Sequence, residues 1–438
     1  MGAARSDKAK RVRAVFCDLM NLPRGKYVPA SMADGGSIGF ARGAFAVSYD
    51  RELLSVPGTG FYEGLPDMEM VLDKERRTGW QPDTEIALGR LEVDGKPFDL
   101  CPRSLLMKTV DNWKQSGLTP MVGLELEAFV FQRDADGVWR PYDTPGAFVY
   151  GTGPENDPAG LVDMIWKTAD ECGLPVESMN GEYDNGQFEM TLCFDDALKA
   201  CDDAMLFRMM ARELAYRSGY LLTFMPKPMP ERGGSGLHVN FSFTDQDGAN
   251  VIAPDGELSD LANHCIGGLL RHHESMAALL APTVNSYKRL VRQGDMPYFT
   301  WAPVFNSFGS NNRTNSVRVP MGGGRCESRN ADGATNPYLA CALVLAAGLE
   351  GIREKLDPGK PQETNLYELT EEEREARGIG FLPRTLDEAI TAFESDPFVE
   401  EVLGKELRAE FIRYKREEWN EYHRSVSEWE IERYSHLF

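Results

Sequence analysis

The chain has 438 residues, 42% hydrophobic and 26% charged, with a formal net charge of −21 at pH 7. That length supports a large core and a division into two domains, and the acidity excludes a phosphate-backbone partner, which needs clustered Lys and Arg. The eight cysteines are scattered with no C-x-x-C pair, which predicts reduced, buried thiols and excludes a zinc site.

The N-terminus, "MGAARSDKAKRVRAVF", is basic but lacks the apolar core of a signal peptide. Its first six residues fit the short myristoylation pattern, which chance alone often satisfies. The longest apolar stretch, "YLACALVLAAGL", has 12 residues and is too short to span a bilayer, so a cytoplasmic protein is expected.

Residues 12–101 are rich in Gly, Pro and short β-type runs such as "AVFCDL", "GAFAVSY" and "EIALGRLEV". They predict a small β-rich first domain. "CPRSLLMKTVDNWKQSG" then opens a helix and a larger second domain, 102–438. Helical periodicity is clear in "GLVDMIWKTADECG", in "DALKACDDAMLFRMMARELAYRSG" and from Leu258 to Leu280. Asn336-Pro337 reads as an N-cap followed by Pro at the first helical position. The chain from Leu382 onward is mostly helical. The rings of Trp429, Tyr434, His436 and Phe438 predict a docked tail, packed on its own subunit or inserted into a neighbour.

Several strands carry a polar face with a period of two. In "LELEAF", Glu125 and Glu127 share one face of an apolar strand. In "GLHVNFSF", His238, Asn240 and Ser242 alternate with Leu237, Val239, Phe241 and Phe243. In "QFEMTLCF", Glu189 and Thr191 oppose Phe188, Met190, Leu192 and Phe194, and in "RCESR" Arg325, Glu327 and Arg329 share a face. A solvated sheet surface explains alternation in general. It does not explain a selection of Glu, His and Arg.

If Glu125, Glu127, Glu182, Glu189 and Glu327 converge, they cannot all stay ionised without cations. A carboxylate-rich site with one imidazole, His238, suits Mg²⁺ or Mn²⁺. Arg289, Arg313, Arg318, Arg325 and Arg329 supply the groups that recognise carboxylate and phosphate. Metal and arginine together point to phosphoryl transfer. No P-loop, no G-x-G-x-x-G and no nucleophile elbow occurs.

In their order, "GLELEAF", "EYDNGQFE", "GSGLHVNFS", "PTVNSYKRL", "NNRTNSVRVP" and "RCESRNADGATNPYLACALVLAAGLEGI" resemble the glutamine synthetase family over nearly the whole chain. The resemblance implies an α+β fold, with a small β-grasp-like N-terminal domain (12–101). A large catalytic domain (102–438) would follow, its antiparallel sheet lining the site with helices around it. It also implies a homo-oligomer, a dodecamer of two hexameric rings, with sites at subunit boundaries. The implied reaction joins the γ-carboxylate of L-glutamate to an amine with ATP, through γ-glutamyl phosphate.

Carried over by motif, Glu127, Glu182 and Glu189 correspond to ligands of one divalent ion. Glu125, His238 and Glu327 correspond to ligands of a second, with two or three Mg²⁺ or Mn²⁺ per site. Gly234, Arg289, Arg313 and Arg329 fall where glutamate binds. Glu177, Asn240, Ser242, Arg313, Arg318 and Arg325 fall where ATP binds. Arg313, Glu327 and Arg329 occupy catalytic positions.

Ammonium-using members carry a Glu in a "Y-E-A-P" run, where this chain has "FTWAP" with Trp301 in the Glu slot. An indole offers an apolar wall or a cation–π face instead. Asp34, in "DGGS", is the nearest match to the family's second ammonium acid, although the spacing places that slot nearer "FAVS". The resemblance is therefore to the amine-specific branch that makes γ-glutamylmethylamide from methylamine. Alternatives are ordinary glutamine synthesis, ligation of ethylamine, ethanolamine or a polyamine, a non-catalytic structural relative, and a guanidino kinase. Asp184 and Glu63 are candidate bases for the amine. Tyr367, in "NLYEL", occupies the segment adenylylated in some members and is expected to be structural here.

Overall fold

The computed structural model describes residues 9–291 and 301–438. The myristoylation-pattern residues 1–6 and the first two positions of "FTWAP" lie outside them.

Among the described residues, the first eight strands form two small sheets. β1 (Arg11–Cys17), β2 (Pro23–Pro29), β5 (Arg77–Thr78) and β6 (Thr84–Ala87) run in the order β2-β1-β6-β5. β3 (Ser37–Ala41), β4 (Asp67–Leu72), β7 (Gly89–Val93) and β8 (Lys96–Pro97) run in the order β3-β4-β7-β8. β1 pairs antiparallel with β2 and parallel with β6, the mixed pairing of a β-grasp-like unit. The run "GAFAVSY", expected as a strand, is instead a 3₁₀ turn over Arg42–Ala46. Its Phe45 explains why: the ring stacks on Phe16 at 5.8 Å and meets Phe98 edge-on at 5.2 Å. Core packing of one aromatic wins over the extended preference of the run. α1 (Ala30–Ala33) is a single turn leading into β3.

An eleven-stranded sheet holds the rest together. Its main path is β11 (Val176–Gly181), β12 (Gln187–Leu192), β9 (Thr119–Arg133), β15 (Leu237–Thr244), β18 (Cys326–Ser328), β17 (Asn315–Val319), β16 (Phe305–Ser310) and β19 (Gly380–Phe381). β10 (Trp139–Pro141), β13 (Asp195–Asp196) and β14 (Tyr220–Thr223) also pair with the long β9. Pairing is antiparallel from β11 through β17, and β16 with β17 is a parallel pair.

One face of this sheet is buried under α2 (Pro102–Gln115), α3 (Leu161–Cys172), α4 (Ala197–Arg217), α5 (Asp260–Leu280) and α6 (Pro337–Glu354). α6 begins as expected: the Asn336 side chain accepts from the N–H groups of Tyr338 and Leu339, and Pro337 occupies the first turn. α5 and α6 cross at backbone contact, because a Cβ on Gly268 would lie 2.0 Å from the Ala347 oxygen. Trp113 of α2 is fully buried and donates from Nε1 to the Leu345 carbonyl at 2.9 Å. Seven of the eight cysteines are buried, and all are free.

The C-terminal part is helical: α7 (Glu371–Ala376), α8 (Leu386–Ser395), α9 (Pro397–Leu403), α10 (Lys405–Arg424) and α11 (Glu428–Tyr434). The tail does not dock on its own chain. α11 buries no residue, and Trp429, Ile431, Tyr434, Leu437 and Phe438 are exposed. The rings meet one another, Trp429 with Tyr434 at 5.8 Å and Tyr434 with Phe438 at 6.4 Å, and Arg433 lies over Trp429 at 5.2 Å. No helix among the described residues is long and apolar enough to cross a membrane.

Candidate active site

The other face of the sheet carries the polar residues, and register brings them together. β9 presents Glu125 and Glu127. Glu189 of β12 stands directly opposite Glu127, and Thr191 opposite Glu125. On the other flank, His238 of β15 stands opposite Glu125 and Asn240 opposite Gly123. Glu327 of β18 then pairs with both Asn240 and Arg318 of β17. Directly opposed side chains on one face lie about 5 Å apart at Cβ, so strand pairing alone assembles the cluster.

His238 is its hub. Nδ1 lies 2.9 Å from Glu125 Oε2 and 3.5 Å from Glu327 Oε1, and Nε2 lies 3.7 Å from Glu127 Oε1. Two groups place ligand atoms within 4.8 Å of one another: Glu125 with His238 and Glu327, and Glu127 with Glu189 and His238. Glu182, expected in the second group, stands at its edge. Its carboxyl accepts from the Tyr183 N–H at 3.1 Å and hydrogen-bonds Glu189.

The charges show what the face lacks. Burial, and then the negative charges of Glu125 and Glu127, push the Glu189 carboxyl up to about 8. Burial and Glu127 likewise raise Glu182. Burial acts upward on Glu125 too, but the hydrogen bond and charge of His238, with Asn240 and Arg329, outweigh it and hold the group at about 2. Burial and Arg329 oppose a proton on His238, yet Glu125, Glu127 and Glu327 outweigh them and raise its pKa. Glu182 and Glu189 are thus pushed toward their protonated forms, and His238 toward its charged form, for want of further positive charge. This donor set, oxygen-rich with a single nitrogen, fits hard divalent cations.

Two cavities flank the cluster. One, about 470 Å³, is lined by Glu125 and by four residues expected at the nucleotide: Glu177, Asn240, Ser242 and Arg325. Arg325 Nε donates to Asn240 Oδ1 at 2.8 Å, and Asn240 Nδ2 to Glu125 Oε1 at 2.8 Å. The other, about 210 Å³, is lined by Glu127, Glu182, Gly234, Arg289, Trp301 and Arg329, with His238 between the two. Arg289 is buried, yet its Nη1 has no hydrogen-bond partner among the described residues, and neither has Arg329 Nε. Buried guanidinium nitrogens left without a partner beside a cavity suit an anionic ligand. Gly234 is required there: a Cβ would lie 2.3 Å from the Pro226 oxygen and 2.9 Å from Arg289 Cδ.

The remaining expected residues stand as follows. Glu327, 1% exposed, belongs to the first group and accepts from Arg318 Nη1 at 2.9 Å and Arg329 Nη1 at 2.5 Å. Arg318 therefore acts on Glu327 and lines neither cavity. Arg313 is exposed in the turn between β16 and β17 and also lines neither. Asp34 caps α1 and pairs with Arg76 at 2.8 Å, and Glu63 is exposed in a turn after the 3₁₀ element Pro57–Thr59. Asp184 lines the smaller cavity and accepts from the Gly233 N–H at 2.5 Å.

Among the lining residues that sequence reasoning missed are Phe194, Asn250 and Gln187. Phe194, taken as the last core position of its strand, is 67% exposed and lines the larger cavity. β12 ends at Leu192, so the period of two no longer governs it. Asn250 and Gln187 carry no local signal. Gln187 is buried and donates from Nε2 to the Gly234 carbonyl at 3.0 Å.

Comparison with known proteins agrees with this geometry. The family model described as glutamine synthetase, catalytic domain, matches residues 99–434. A glutamate–methylamine ligase of Methyloversatilis universalis is 36% identical, covering 99% of this chain and 98% of its own. A glutamine synthetase of Pyrococcus furiosus is 34% identical, covering 98% and 97%. Among solved structures, a GmaS–ADP complex superimposes with a TM-score of 0.86 at 32% identity, covering 98% and 97%. Ligand-free GmaS gives 0.84 at 31%, covering 97% and 96%.

Proposed function

The chain belongs to the glutamine synthetase family and is a glutamate–amine ligase; on that premise, we propose that its amine is methylamine and its product γ-glutamylmethylamide. The observation that carries this reading is Trp301. It lines the smaller cavity beside Arg289, Arg329 and Glu182, in the slot where ammonium-using members carry a Glu. The indole is 49% exposed, so it presents an apolar surface to a methyl group. Burying one methyl contributes about 0.8 kcal/mol, roughly a fourfold preference. The lost ammonium carboxylate supplies the larger part, since ammonium has no anion at that position to bind or deprotonate it.

In this reading Glu177, Asn240, Ser242 and Arg325 hold ATP along the larger cavity, and Arg318 steadies Glu327. Arg289, Arg329 and the backbone at Gly234 hold glutamate in the smaller one. Divalent ions, Mg²⁺ or Mn²⁺, fit Glu125, His238 and Glu327 and, beside them, Glu127, Glu182 and Glu189, and when bound would neutralise phosphate charge. The glutamate γ-carboxylate attacks the terminal phosphorus, ADP leaves, and the amine nitrogen displaces phosphate from the acyl carbon. The arginines orient the reacting carboxylate, and Arg313 is assigned to the transferring phosphoryl group by motif. The reading extends to a dodecamer of two hexameric rings.

The test is ADP release with glutamate, Mg²⁺ or Mn²⁺ and a panel of amines, with ammonium as control. Methylamine is expected to give the highest kcat/KM. A higher value for ammonium overturns the methylamine assignment and returns the chain to ordinary glutamine synthesis.

A further inference from the structure

We propose that Tyr367 is a positioning residue for the amine: through the Ala302 carbonyl it fixes the Trp301 wall without touching the amine. This inference deepens the methylamine reading and rests on it.

Tyr367 sits in a 3₁₀ turn, Leu366–Glu368, far in sequence from any motif strand. The turn is pinned from both sides. Asn365 Oδ1 accepts from the Tyr367 N–H at 3.1 Å, and the buried Leu366 donates its N–H to Thr314 Oγ1 at 3.2 Å. From this anchor the phenol hydroxyl donates to the Ala302 carbonyl at 2.5 Å. The ring packs edge-on against Phe305 at 5.2 Å, and Phe305 is itself buried at the start of β16. Two residues further on, Leu382 N–H donates to the Val304 carbonyl at 2.8 Å. The backbone of residues 302–304 is therefore tethered at both ends, by Tyr367 and by Leu382.

Ala302 and Trp301 are adjacent, and both line the smaller cavity. Trp301 is half exposed, and the tether at the adjacent Ala302 carbonyl contributes to holding its backbone in place. The phenol also lies close enough to Arg289 and Arg329 for their charges to act on its ionisation. A tyrosine that merely filled core volume would need its ring against Phe305 and not its hydroxyl.

Exchange Y367F keeps the ring and removes the hydroxyl that donates to the Ala302 carbonyl. One hydrogen bond to a partly buried carbonyl corresponds to a roughly tenfold change. In the purified full-length enzyme, Y367F is expected to raise the methylamine KM about tenfold and to lower the preference for methylamine over ammonium, with glutamate and ATP KM values changed less than about twofold. In a W301A background, Y367F is expected to add no further change, since the two act as one unit. Should Y367F not fold, N365A loosens the same turn from its other end and is expected to move the methylamine KM in the same direction. An unchanged methylamine KM overturns the proposal. So does a glutamate KM that rises in parallel, which would place the action of Tyr367 on the arginines. If the wild type prefers ammonium, the methylamine reading fails separately, and the coupling of Tyr367 to Trp301 is read on the ammonium KM.

Discussion

Exchange of Glu189 for Gln tests whether the carboxylate face is built for cations. In the chelated protein, burial and then Glu125 and Glu127 raise the Glu189 carboxyl from its ordinary 4.5 to about 8. A group raised in the folded state contributes stability that is complete below its unfolded value and is lost as pH rises through its folded value. The window is therefore about 4.5 to about 8, with stability falling upward through it. A gap of about 3.5 units at 1.36 kcal/mol each sets a ceiling of about 5 kcal/mol. Water reaching a partly exposed carboxylate reduces this to about 2 kcal/mol. The assay is thermal melting in EDTA from pH 5 to pH 8.5 for the wild type and E189Q. The two curves are expected to coincide near pH 5, where Glu189 is neutral. E189Q is expected to melt higher at pH 8, where the wild type buries an unneutralised charge. With Mg²⁺ the order reverses, because the ionised wild-type carboxylate gains its counter-ion and Gln offers none. Parallel curves in EDTA across the whole range would refute the reasoning, since the difference must grow with pH.

Gly234→Ala drives a methyl group against the Pro226 carbonyl at 2.3 Å and Arg289 at 2.9 Å. The glutamate KM is expected to rise at least about tenfold while the ATP KM moves less than about twofold, read from initial rates. Asn336→Ala removes the N-cap of α6 and the donor to the Asp18 carbonyl at 2.8 Å. It is expected to cost about 1–2 kcal/mol in urea unfolding and to leave both KM values unchanged.

Period-two alternation made the polar face legible. "LELEAF" and "GLHVNFSF" each show a polar set against an apolar one, and both strands form as read, with Leu124, Leu126, Leu237, Val239, Phe241 and Phe243 buried. What alternation cannot show is register, because pairing β9 with β12 and β15 joins residues more than 50 positions apart in sequence. Nor does it say where a strand stops, and Phe194 fell one step beyond. The tail aromatics predict docking on their own subunit or in a neighbour; on its own chain α11 buries no residue, which sequence pattern cannot show because packing partners lie far away in sequence. The 3₁₀ turn at Arg42–Ala46 was hidden because its cause, Phe45 against Phe16 and Phe98, is tertiary.

Register gives the two glutamates of β9 different tasks. Residues i and i+2 of a strand point the same way about 7 Å apart. Glu125 therefore lines the larger cavity and Glu127 the smaller, while His238, paired opposite Glu125, reaches both carboxylates. One strand period thus sets the distance between the two cavities, which on the proposed reading are the nucleotide and glutamate sides. A third acid at the intervening position would point into the core, where Leu126 is fully buried. On the proposed reading, a spacing of two lets a phosphoryl group pass between two sites whose walls one strand holds in register.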